Sequence, residues 1–116
     1  MLPKQYRLKK RTAFKATYKV KNSSHNGGVT LFAGILKKED YPTKVGFVVS
    51  KKVHKRAVKR NRLKRLMRES YRVLLKEGKI GQSSRFMSLV FVGTEKALGK
   101  PYAEIKTSIQ TMLERL

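Results

Sequence analysis

The chain has 116 residues, with 29 Lys+Arg against 7 Asp+Glu, no Cys, no Trp and a formal net charge of +22. This length suits one domain and excludes a large multi-domain enzyme, while the absence of cysteine excludes disulfides and thiolate metal sites. A 40% apolar share, grouped in runs, is too high for a wholly disordered polybasic tail, so a small folded core is expected. So much like charge repels itself and calls for a polyanionic partner. Nucleic acid is favoured over an acidic membrane, because no free-standing basic amphipathic helix or lipidation signal is present. The apolar stretches are too short to span a bilayer. Met1-Leu2-Pro3-Lys4 lacks the apolar region of a secretory signal, so a cytoplasmic protein is expected.

In chain order, residues 1–10 are basic, carry Pro3, and read as a mobile or partner-ordered arm of one domain spanning residues 1–116. Thr12 is placed to cap a short helix through Ala13–Tyr18, with Phe14 and Tyr18 four apart on one face. Asn22–Gly28 reads as a loop by composition. Val29–Leu36 alternates as a strand, with Val29, Leu31, Ala33 and Ile35 opposite Thr30, Phe32, Gly34 and Leu36. Lys37–Thr43, with Glu39-Asp40 and Pro42, reads as a turn, and Lys44–Ser50 as a second strand. From Val58 to Leu75, Leu63, Leu66, Met67, Tyr71 and Leu74 recur at helical spacing, and Gly78 is the stop signal. Phe86–Val92, apolar on both faces, reads as a buried third strand. The last helix starts near Pro101, with Tyr102, Ile105, Ile109, Met112, Leu113 and Leu116 as its stripe. The order helix–strands–helix–strand–helix predicts an α/β domain of two layers.

Residues 51–72 hold eleven Lys/Arg and one acid, Glu69. At 100° per residue Asn61, Arg65, Arg68 and Arg72 form one stripe opposite Leu63, Met67 and Leu74, with Lys64 at its edge. Like charges at i,i+4, such as Lys64/Arg68 and Arg68/Arg72, each cost roughly 0.2–0.5 kcal/mol in an isolated helix. A solvated face would interleave acids to remove that cost, and this one does not. A polyanion would remove it. Charge alone separates neither DNA from RNA nor a ribosomal role from another ribonucleoprotein.

Arg60-Asn61-Arg62, set in Ala57-Val58-Lys59-Arg60-Asn61-Arg62-Leu63-Lys64-Arg65-Leu66-Met67-Arg68-Glu69, resembles the RNR signature of the bacterial ribonuclease P protein component. Val45-Gly46-Phe47-Val48-Val49-Ser50-Lys51-Lys52-Val53 resembles the strand that precedes that helix. Tyr6-Arg7-Leu8, followed by Phe14 and Tyr18, is similar to the family's opening element, so the resemblance runs nearly the whole chain. It implies an α/β sandwich with a left-handed βαβ crossover, against the general right-handed rule. It also implies the small subunit of a ribonucleoprotein that removes the 5′ leader from precursor tRNA, the RNA subunit performing the hydrolysis with Mg²⁺. On this resemblance, Lys59, Arg60, Asn61, Arg62, Lys64, Arg65, Arg68 and Arg72 face the catalytic RNA. Phe14, Tyr18 and Phe32 line the cleft for the leader, with Lys51 and Lys52 placed to hold phosphate, and no catalytic or metal-binding residue is expected in the protein. Two positions depart from the family, Lys21 in Lys19-Val20-Lys21-Asn22 and His54 after Ser-Lys-Lys-Val, where glycine is usual.

The residues leave alternatives beside that reading. Phe14 and Tyr18 suit core packing as well as a stacking platform. A structural ribosomal protein of similar build would share the charge. A basic nuclease would need His25 and His54 to act together, and neither lies in a recognisable motif with an acid. Glu39-Asp40 reads as part of a turn, and Gly27-Gly28 is no phosphate cradle because no helix is expected after it.

Overall fold

In a computed structural model that describes residues 2–116, strands β1 (Asn22–Asn26), β2 (Val29–Ala33), β3 (Lys44–Val48) and β4 (Ser88–Gly93) form one mixed sheet in the order β1-β2-β4-β3. A short 3₁₀ turn at Lys4–Tyr6 precedes α1 (Arg11–Lys19), β1, β2, β3 and α2 (Ala57–Lys76). β4 and α3 (Tyr102–Glu114) complete the chain, with further 3₁₀ turns at Gly81–Arg85 and Glu95–Ala97. β1 and β4 run antiparallel to β2, and β3 runs parallel to β4. A parallel pair needs a crossover, which α2 supplies; this is the βαβ connection whose left-handed sense the resemblance implies.

The alternation of β2 sends Val29, Leu31 and Ala33 to one face, where they are buried, and Thr30 and Phe32 to the other. Register places Phe91 of β4 between Leu31 and Phe47, and Val90 between Phe32 and Gly46. The first of these rows meets α2 and α3, whose Leu63, Met67, Tyr71, Leu74, Ile105, Ile109, Met112 and Leu113 close the main core. Each such side chain contributes about 1.5–3 kcal/mol when buried. Phe47 stacks on Phe91 at 5.7 Å, and Tyr71 meets both rings at 6.4 and 5.9 Å. α1 lies across the other face, held by Thr17, whose hydroxyl donates to Ala13 O at 2.8 Å and pairs with Ser88 Oγ at 2.6 Å.

Several local expectations change. The loop expected at Asn22–Gly28 contains β1, paired with β2 from Asn22↔Ala33 to Asn26↔Val29 around Gly27-Gly28. Both glycines have positive φ (58° and 88°), as a two-residue hairpin turn of the I′ type requires. β1 is the sheet edge and carries only polar side chains, so it shows no apolar alternation. β2 stops at Ala33 rather than Leu36, beyond which pairing continues only through the isolated Leu36↔Phe86 bridge. Thr12 does not cap α1, which starts at Arg11 with Lys10 as N-cap, whereas α3 starts at Tyr102 with Pro101 as its N-cap, as expected.

A further expectation concerned an arm at residues 1–10, of which Met1 lies outside the described residues. Leu2 is fully buried, and Arg7 bridges Val45 in parallel. Leu8 N–H donates to Val45 O at 3.0 Å, and Arg7 Nε to Leu2 O at 2.8 Å. Residues 2–8 are therefore packed along β3. The reason is topological: β3 is the other edge strand, and its open backbone groups take the basic segment as a partial fifth strand.

Candidate nucleic-acid interface

α2 is built from two opposed stripes. Leu63, Met67, Ser70, Tyr71 and Leu74 are buried, whereas Lys59, Asn61, Arg62 and Arg65 are exposed and Lys64, Arg68 and Arg72 half-exposed. The helix is held at both ends by identifiable contacts. Arg60 donates through one guanidinium nitrogen to His54 O (2.8 Å) and Lys55 O (2.9 Å), and His54 Nδ1 accepts from Arg56 N–H at 3.0 Å. At the C-terminus Lys79 N–H reaches Leu74 O and Gly78 N–H reaches Leu75 O, the two bonds of a Schellman motif, with Gly78 at φ 72°. Arg60 thus braces the turn that enters the helix. Arg72 is paired with Glu69, whose carboxyl is held below its usual range by that hydrogen bond.

Three further cations of α2 border two concavities. Arg62 and Lys59 line one of about 300 Å³ with His54, Leu63, Leu98 and Gly99. Arg68 lines another of about 180 Å³ with Arg7, Lys9, Phe14, Gly46 and Phe47. Arg7 and Lys9 were missed as site residues because only the docking of the N-terminal segment on β3 carries them to α2.

Phe14, Tyr18 and Phe32 share the sheet face covered by α1. Phe32, Val90 and Gly46 form one cross-strand row. Tyr18 meets Phe32 edge-to-face at 4.9 Å, over one end of the row. Phe14 lies over the other end, where a Cβ on Gly46 would fall 2.4 Å from its ring. Partial burial raises the Tyr18 pKa, so its phenol stays neutral. Lys51 and Lys52 are exposed in the turn after β3. The flank of α1 formed by Ala13, Ala16 and Thr17 borders an apolar groove of about 670 Å³ with Ile35, Tyr41, Pro42 and Met87. Sequence reasoning did not find that groove, since Ile35 and Leu36 were placed inside a strand.

His25 and His54 stand in separate contexts. His25 lies on β1, with Nδ1 bonded to Thr30 Oγ1 at 2.8 Å, while His54 belongs to the turn before α2. No three His, Asp or Glu side chains converge among the described residues. No helix of the described residues is long and apolar enough to cross a membrane.

A basic helix face, a half-buried aromatic row and cations meeting at their boundary define an α/β protein built to hold a polyanion. The comparisons give that class a family. The Ribonuclease P family profile matches residues 2–116. Among similar chains are the ribonuclease P protein components of Clostridium kluyveri (36% identical; 95% of this chain, 93% of that one) and a Synechococcus strain (35%; 99% and 84%). Solved structures of the RNase P proteins of Staphylococcus aureus (TM-score 0.76, 27% identical; 97% of this chain, 95% of that one) and Thermotoga maritima (0.77, 25%; 95% and 96%) share the fold. The chain belongs to the Ribonuclease P family of bacterial protein components, the protein subunits of a ribonucleoprotein endoribonuclease of tRNA processing.

Proposed function

We propose that this protein binds the ribonuclease P RNA through the outer face of α2 and receives the single-stranded 5′ leader of precursor tRNA on the α1 side of the sheet. The observation that carries this reading is the shared concavity of Arg68 and Phe14, which joins the basic helix face to the aromatic row. Lys59, Arg62, Lys64, Arg65 and Arg68 neutralise phosphates of the RNA subunit. Arg60 holds the entry to α2 and presents its remaining N–H groups, and Asn61 adds a neutral donor and acceptor. Phe14, Tyr18 and Phe32 offer ring faces and edges to leader bases, for which stacking is worth about 1–3 kcal/mol each, with Lys51 and Lys52 toward the backbone.

The chain's own carboxylates and histidines do not converge on a cation cage among the described residues. In this proposal Mg²⁺ and the hydrolytic step belong to the RNA subunit and its substrate, and the protein holds the precursor in place. A cytoplasmic location follows from that substrate. The test is reconstitution: purified protein, a ribonuclease P RNA and labelled precursor tRNA at low Mg²⁺, where the RNA alone is nearly idle. The expected result is cleavage at the mature 5′ end that needs both components. Tight RNA binding without cleavage, repeated with the cognate RNA, would favour a ribosomal role; cleavage by protein alone would return the histidines to consideration.

A further inference from the structure

At the C-terminal end of α2, remote in sequence from the RNR motif, a cavity of about 320 Å³ is lined by Tyr6, Tyr41 and Tyr71 together with Lys37, Asp40 and Ser84. Tyr71, 1% exposed overall, forms part of the wall of this cavity. Tyr41 is 56% exposed at the edge of the cavity, and its hydroxyl is fixed by donating to Glu39 Oε2 at 2.6 Å. Asp40 takes no ion pair among the described residues, although the chain carries 29 cations.

The lining selects the ligand. A cation is opposed by Lys37 and by the field of the whole chain, and to a bare anion the mostly aromatic and apolar lining offers one cation, Lys37, beside Asp40. A neutral, flat heterocycle meets every group: rings and apolar walls take its faces, Asp40 accepts from an amino or imino N–H on its edge, and Tyr71 donates to a ring nitrogen or carbonyl. Burial, with Tyr6 a smaller cause, raises the Tyr71 pKa, so that hydroxyl keeps its proton. A phosphate attached to such a ring would meet Lys37. The volume falls at the low end of the range for small-ligand pockets, about 300–1,000 Å³.

We propose that the Tyr6–Tyr41–Tyr71 cavity is a binding site for a single unstacked nucleobase. The site rests on the RNA-subunit reading only for the source of the base, which is a nucleotide extruded from bound RNA or a free mononucleotide. The test uses the full chain and two arms. In the first, the four nucleoside monophosphates are titrated against protein with labelled tyrosine rings, and shifts at Tyr6, Tyr41 and Tyr71 are expected. In the second, ribonuclease P RNA affinity is measured over a salt series for wild type, Tyr41→Ala and Tyr71→Phe, with thermal unfolding confirming that each variant is folded. Tyr41→Ala is expected to weaken binding on the order of 5- to 150-fold, and Tyr71→Phe by a smaller factor in the same direction. Both should leave the slope against salt unchanged, because no phosphate contact is removed.

Ring shifts with mononucleotides alone support the site with a free nucleotide as its source, and the affinity losses support it with RNA as its source. Neither result, or losses that track a reduced salt slope, overturns the proposal. If wild-type protein fails to bind the RNA at all, the function proposed above falls, and the mononucleotide arm still decides the cavity.

Discussion

Arg60 and Arg65 sit on the same helix and carry the same charge, but their surroundings assign them different work. Arg60 spends one guanidinium nitrogen on the carbonyls of His54 and Lys55, whereas Arg65 is exposed on the side opposite Leu63 and Met67. Arg60→Ala is expected to cost about 1 kcal/mol of stability, the order of a partly solvated charged hydrogen bond, and Arg65→Ala to stay within about 0.5 kcal/mol. Denaturant unfolding checks both. Arg65→Ala should instead lower the RNA-binding salt slope by about 1. Equal stabilities for the two variants would remove the bracing role given to Arg60. Helical phase alone already placed Arg65 outward, but the Arg60 contact depends on how the His54 turn folds back, and residue spacing carries no signal for it.

At the scale of elements, α2 is the part most legible in the sequence and β1 the least. The period of Leu63, Met67, Tyr71 and Leu74 marks the buried stripe, and Gly78 marks the stop, because both are local consequences of helix geometry. Gly78 has φ 72° and open space around its missing side chain, so the cost of Gly78→Ala is backbone strain without a clash. A loss of about 1 kcal/mol is expected in thermal or denaturant unfolding, with RNA affinity little changed. A neutral substitution would mean the Schellman bonds do not hold the helix end. β1, by contrast, is Asn-Ser-Ser-His-Asn, and no propensity marks it as a strand. It forms because the Gly27-Gly28 turn returns the chain alongside β2, whose outer backbone groups need partners.

For the whole molecule, a net charge of +22, half of it carried by residues 51–76, makes association with RNA steeply dependent on salt. If six to ten phosphates are neutralised, affinity should fall on the order of 10³–10⁵-fold between 50 and 200 mM salt. A titration of RNA binding over that range measures it, and a flat response would remove the electrostatic basis of the proposed interface. Composition, periodicity and the run from Ser50 to Arg68 were enough to determine the fold class, the family and the outward face of the basic helix, since each is expressed within one element or one continuous stretch. The tertiary structure alone decided that the N-terminal segment docks on β3, that Arg7 and Lys9 join Arg68, and that Tyr6, Tyr41 and Tyr71 meet around one cavity. Those groupings unite residues from separate segments of the chain. Sheet order and edge pairing bring them together, and neither leaves a trace in local sequence.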